Sequence, residues 1–260
     1  MTEDLRLIHH DGFDELRFNR PAELNTLTIS VIRSLDRALI GVEARKPRCL
    51  LMTAEGKSFI AGGDLKYLAK AGEYAKDEAR IVIEALNCAM LRLVSLPCPT
   101  VIAVQGAVAG AGLSLVLACD LAIGAASARF VYAYDKIAVT PDGGLTWMLP
   151  RAIGMRRAMR VAMSGAPVEA REALDLGILS AVVPANELQD AGEAAAQKLA
   201  SGPTKAFVAT RRLMHEGQGR PFPVQLEAEC DSFCAQTETE DFRGAVEAFF
   251  ARRQPEYQGK

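Results

Sequence analysis

From Val101 to Ala126 the chain reads VIAVQGAVAGAGLSLVLACDLAIGAA, and as far as Cys119 only Gln105 and Ser114 carry polar side chains. A run so apolar has to be buried, in a bilayer or in a protein core. Its length permits a membrane span, but its residues do not suit one. VIAV is β-branched and reads as a strand. Gly106, Gly110 and Gly112 favour turns, Asp120 follows, and no basic clamp flanks the run. The sequence instead specifies a buried strand, a glycine turn and a buried helix, and so a chain with a large core.

The rest of the chain supplies that core. Half of its 260 residues are hydrophobic, and a single domain of this size buries about three-quarters of its unfolded surface. Thirty basic residues against 32 acidic ones, with no long run of one sign, leave no electrostatic footprint for nucleic acid. Cys49, Cys88, Cys98, Cys119, Cys230 and Cys234 form no CxxC pair, and no histidine stands near Cys230 and Cys234 to complete a zinc set. The pattern predicts reduced thiols, no metal and a cytoplasmic protein. Three histidines, His9, His10 and His215, supply a His-based triad poorly.

Along the chain, LRLIHHDGFDELRFN predicts a hairpin around Asp11-Gly12, and TISVIRSLDRALIGVEA an amphipathic helix. RCLLMT predicts a buried strand and EGKSFIAGGDL a loop; residues 65–96 read as helix with a break near Gly72. After the strand PTVIAVQG and the helix GLSLVLACD come strands in LAIGA and ARFVYAY. From Gly143 helices dominate, with one late strand in LSAVV and three helices across residues 192–216 and 224–253. Strands alternating with helices, then helices alone, imply an α/β core, residues 1–202, followed by a helical C-terminal region, residues 203–260.

EGKS after a strand invites a phosphate-loop reading, but the position five before Gly56 is Leu51, not glycine. The glycines at 106, 110 and 112 do not match a dinucleotide fingerprint, and GLSLV lacks the second glycine of a nucleophile elbow. What remains is a repeated arrangement. Two strands each enter a glycine turn and then a helix, at FIAGGD (59–64) and at Gly110-Ala111-Gly112. Backbone N–H groups are unshielded at such turns, and two of them facing each other make an oxyanion hole.

The motifs KSFIAGGDLKYL, VIAVQGAVAGAGLSLVLACDLAIGAASARF and KIAVTPDGGLTWMLPRAIG, with NRPAELNTL near the start and AFFARRQPEYQGK at the end, resemble the crotonase family, the enoyl-CoA hydratase/isomerase superfamily. The resemblance covers almost the whole chain. It implies an α/β spiral of ββα units, a C-terminal helical trimerisation region, and a homotrimer or dimer of trimers. It also implies an acyl-CoA ligand, with no cofactor beyond the coenzyme A of the substrate. The thioester oxygen would lie between two backbone N–H groups, which carry over onto Ala61 and Ala111. Leu24, Ala61, Gly62, Gly63, Asp64, Leu65 and Phe249 would line the coenzyme.

Hydratases of this family use two glutamates, and the matching positions here are Ser114 and Tyr134. Adding water requires one proton removed and one delivered, so these replacements weigh against a hydratase. Asp142, in VTPDGG, matches the lone aspartate of the ring-epoxide phenylacetyl-CoA isomerases, relatives of the Δ3,Δ2-enoyl-CoA isomerases. The resemblance implies that Asp142 is a base; the residue also suits a turn or a helix cap before Gly143-Gly144. The 4-chlorobenzoyl-CoA dehalogenases share the aspartate but carry a tryptophan at the position of Tyr134 and a histidine at that of Asn87. A hydratase and a non-catalytic acyl-CoA-binding relative stand as alternatives.

Overall fold

A computed structural model describes residues 4–260. β1 (Leu5–His9) and β2 (Asp14–Phe18) form the expected hairpin. β3 (Leu50–Ala54), β4 (Thr100–Val104), β6 (Leu121–Ala125) and β9 (Ala181–Val183) extend it into a six-stranded sheet of order β1-β2-β3-β4-β6-β9, parallel from β2 onward. A second sheet holds β5 (Ala107–Ala109), β7 (Arg129–Val131) and β8 (Val168–Glu169).

The large sheet is buried on both faces, and alternate side chains go to different cores. Leu50, Met52, Ile102 and Val104 enter the main core with Leu35 and Leu39 of α1 (Ile29–Arg45) and Leu93 of α3 (Ala75–Ser95). Leu51, Val101 and Ala103 enter a smaller one under α8 (Leu188–Ala200). This explains why both central strands are continuous apolar runs.

The apolar run at 101–126 is therefore β4, β5, α4 (Ala111–Ala118) and β6. No helix among the described residues is long and apolar enough to cross a membrane. Gly106 is required by a close approach: a Cβ there would stand 1.9 Å from the Lys57 carbonyl oxygen, and its φ is +55°. That contact presses β5 onto the segment leading to FIAGGD, and Gly112 does the same against Ile60, with a Cβ position 3.0 Å from the Ile60 Cβ.

α2 (Leu65–Ala71) precedes α3, with a short turn at Gly72–Tyr74 where the break was expected. α5 (Leu145–Ile153), α6 (Met155–Ser164) and α7 (Ala170–Leu176) follow the second sheet's first two strands. Where three helices were expected across residues 192–216 and 224–253, four form: α8, α9 (Thr204–Gly217), α10 (Phe222–Thr237) and α11 (Glu240–Phe250). Thr239 ends the continuous reading of residues 224–253, because its hydroxyl accepts the Phe242 N–H at 3.1 Å and caps a new helix. α9 is tied to the core by Arg211, whose guanidinium donates to the Cys98 carbonyl at 3.1 Å and pairs with Asp120 at 3.0 Å. α10 and α11 leave Leu226, Phe233, Phe242, Val246, Phe249 and Phe250 exposed on the single chain.

Candidate active site

The two glycine turns are brought edge to edge. Ile60 bridges Val108 in parallel, its N–H donating to Ala107 O at 3.2 Å and its carbonyl accepting from Ala109 N at 2.8 Å. A Cβ on Gly110, at φ +55°, would lie 4.0 Å from the Gly62 Cα. Around Gly62 and Gly63 the corresponding space is open.

Which N–H groups are available follows from the peptides themselves. The Ala61 N–H donates to the Leu24 carbonyl at 3.1 Å. In the chain alone this N–H is therefore bonded within the fold. The Gly62 carbonyl accepts from Leu27 N at 2.9 Å. In a trans peptide the N–H points opposite to the carbonyl, so the Gly63 N–H points away from Leu27. It joins no hydrogen bond among the described residues, and Gly63 is exposed. Ala111 opens α4, where the first N–H has no acceptor within the helix. The Gly110 carbonyl is bonded to Leu113 N at 2.9 Å, which turns the Ala111 N–H out of the helix end. At these two turns the Gly63 and Ala111 N–H groups have no partner among the described residues, the latter at the positive end of the α4 dipole.

The three positions compared with catalytic residues in the sequence converge beside these turns. The Tyr134 hydroxyl donates to Asp142 Oδ1 at 2.7 Å, and the Ser114 hydroxyl to the Asp142 backbone carbonyl at 3.1 Å. Ser114 is fully buried and Tyr134 nearly so, while Asp142 is half-buried. Burial raises the Asp142 pKa above its ordinary value, and the hydrogen bond from Tyr134 opposes that without cancelling it. Burial, the Asp142 charge and the bond to it push the Tyr134 phenol up as well, so it stays protonated. Of the structural alternative for Asp142, the turn is present, with Leu145 N donating to its carbonyl at 3.2 Å, but the helix cap is not: Gly144 occupies the cap position of α5, without a side-chain cap bond.

Past Gly143 and Gly144 opens an apolar cavity of about 430 Å3, walled by Met90, Val94, Trp147 and Met148, with His215 from α9. The cavity joins α3, α5 and α9, and nothing local in the sequence ties α9 to α5. Asp64 caps α2, accepting Tyr67 N at 3.1 Å, and Leu65 is exposed beside it. Leu24 reaches the site through its carbonyl bond to Ala61. Phe249 is not brought in: it stands 77% exposed on α11, edge-on to Phe250.

Comparison with known proteins agrees with this geometry. The sequence profile described as enoyl-CoA hydratase/isomerase matches residues 9–260. The chain is 36% identical over 252 residues to the 1,2-epoxyphenylacetyl-CoA isomerase of Escherichia coli K12, covering 96% of each. It is 35% identical over 250 residues to a Rhodobacter capsulatus protein named probable enoyl-CoA hydratase, again 96% of each. The crystal structure of an enoyl-CoA hydratase from Polaromonas sp. JS666 superposes with a TM-score of 0.93 at 29% identity, over 98% of this chain and 99% of that one. With the α/β crotonase fold and a profile match over nearly its whole length, the chain belongs to the enoyl-CoA hydratase/isomerase family of acyl-CoA-transforming enzymes.

Proposed function

We propose that this protein is an enoyl-CoA isomerase that moves a carbon–carbon double bond with Asp142 as its only base. One observation carries the reading: Ser114, Tyr134 and Asp142 converge, and Asp142 alone is a carboxylate. The thioester oxygen lies between the Gly63 and Ala111 N–H groups. Asp142 takes a proton from the α carbon of a 3-enoyl thioester, and the bonding pair spreads into a dienolate whose charge rests on the two donors. The same carboxyl returns the proton to the γ carbon, leaving a 2-enoyl thioester. The chemistry calls for no cofactor beyond coenzyme A. Leu24, Gly62, Asp64 and Leu65 border the coenzyme, and the cavity past Gly143 takes the acyl group.

A carboxylate with a raised pKa suits this task, since a base works best when its pKa approaches the working pH. The Escherichia coli relative, named as an isomerase, supports the reading. Incubation with 3-enoyl-CoA should yield 2-enoyl-CoA, separated by chromatography. Saturable acyl-CoA binding in a calorimeter with no conversion would instead make the protein a binder.

We also propose a cytoplasmic homotrimer or dimer of trimers, built through the exposed apolar residues of α10 and α11, including Phe233 and Phe250. Burying aromatic side chains is a strong drive to association. Light scattering at micromolar protein should give a mass near three or six chains; a monomer contradicts this.

A further inference from the structure

We infer that the Tyr134 hydroxyl positions the base, holding Asp142 by Oδ1 so that Oδ2 is the carboxylate oxygen presented to substrate. The inference rests on the isomerase reading of Asp142 and adds a residue that acts through it.

The geometry supplies the argument. Asp142 is held through its carboxylate, by Tyr134 at 2.7 Å and by its own backbone N–H, and through its backbone carbonyl, by Ser114 at 3.1 Å and Leu145 N at 3.2 Å. A carboxylate with one oxygen fixed has little freedom to rotate, and its second oxygen keeps one direction. Tyr134 is itself fixed. Its ring packs edge-on to Tyr132 at 5.3 Å, and its backbone carbonyl accepts Val139 N at 3.2 Å. Ala133, at φ +69°, turns the chain inward before it. The hydroxyl also lies 3.7 Å from the Cβ position of Gly110, so it sits between the base and the turn that carries Ala111.

The direction of the bond is settled by chemistry. The phenol stays protonated and the carboxylate accepts, so Tyr134 is a donor and not a second base. A hydrogen bond to the charged form lowers a carboxyl pKa, so Tyr134 keeps Asp142 ionised in a site whose burial opposes ionisation. Other titratable groups near this site are Tyr132, packed edge-on to Tyr134, and His215, from α9 across the cavity. α3 presents Leu86, Asn87 and Met90, α4 presents Ser114, and α5 presents Trp147 and Met148. Asp135, next to Tyr134, turns towards Gly165 instead.

Tyr134→Phe removes one oxygen and keeps the ring. Misplacing a reacting group can cost about 100-fold, so kcat for 3-enoyl-CoA should fall by that order with KM little changed. The acid limb of the kcat/KM profile should move to higher pH, because the ionised carboxylate has lost its donor. Site-specific 3-fluorotyrosine at position 134, a more acidic phenol, should move the limb to lower pH, and it decides the matter if the phenylalanine variant does not fold. An acid limb that stays in place in either folded variant overturns the inference, even if kcat falls, since packing alone leaves that limb where it was. Asp142→Asn run in parallel separates the two readings. Full activity there removes the base itself, whereas an inactive Asp142→Asn beside an unmoved Tyr134→Phe limb removes only the positioning role.

Discussion

Asp142→Asn should lower the rate of double-bond migration by roughly 2 to 4 orders of magnitude, the usual worth of a general base. Asparagine has the same shape, and its carbonyl oxygen can still accept from Tyr134, so the local packing persists. What goes is the ability to take a proton. The fold should not suffer. Burial raises the Asp142 pKa, so its ionised form opposes folding above the ordinary carboxylate range. Removing that charge should leave the melting temperature unchanged or higher. Ser114→Ala is the control: its hydroxyl meets the Asp142 backbone carbonyl and the Tyr134 phenol, and losing neutral hydrogen bonds should cost less than about tenfold. Steady-state rates and thermal melts of the two variants check these statements together. An Asp142→Asn enzyme with undiminished migration would return the proton transfer to another group.

Ala111→Pro should be nearly as damaging. Proline has no N–H, and the first position of a helix is where it is best tolerated. Ala111 holds that position in α4, and its N–H makes no bond within the fold. The substitution therefore deletes a donor without breaking the helix. Losing one oxyanion donor costs about 3 kcal/mol, or roughly 100- to 1,000-fold in kcat. The same change at Ala61 would be a different experiment, since it breaks the bond to Leu24 and loosens the turn itself. A folded Ala111→Pro enzyme with full activity would remove Ala111 from the account.

Much of this site was legible in the chain. The hairpin, α1, β3, β4, α4 and the two glycine turns follow from periodicity and from where glycine stands. The convergence of Ser114, Tyr134 and Asp142 followed from the resemblance. What was missed depended on contacts distant in sequence. β5 is three small residues, and it became a strand only by pairing with β7 and Ile60. β8 is two residues long. Which N–H groups of the first turn lack a partner depends on the peptide groups that Leu24 and Leu27 consume. No spacing within FIAGGD reveals that. The hydrogen bond from Tyr134 to Asp142 was likewise invisible: the left-handed turn at Ala133 that aims the ring is made by an alanine, which gives no warning in the sequence.

The central claim is that one carboxylate and two backbone donors move a double bond but are poorly equipped to add water. It is tested most directly by giving the same wild-type preparation 3-enoyl-CoA and 2-enoyl-CoA of equal chain length, and measuring migration and hydration separately. The account predicts that migration is much the faster reaction. Hydration faster than migration would contradict it.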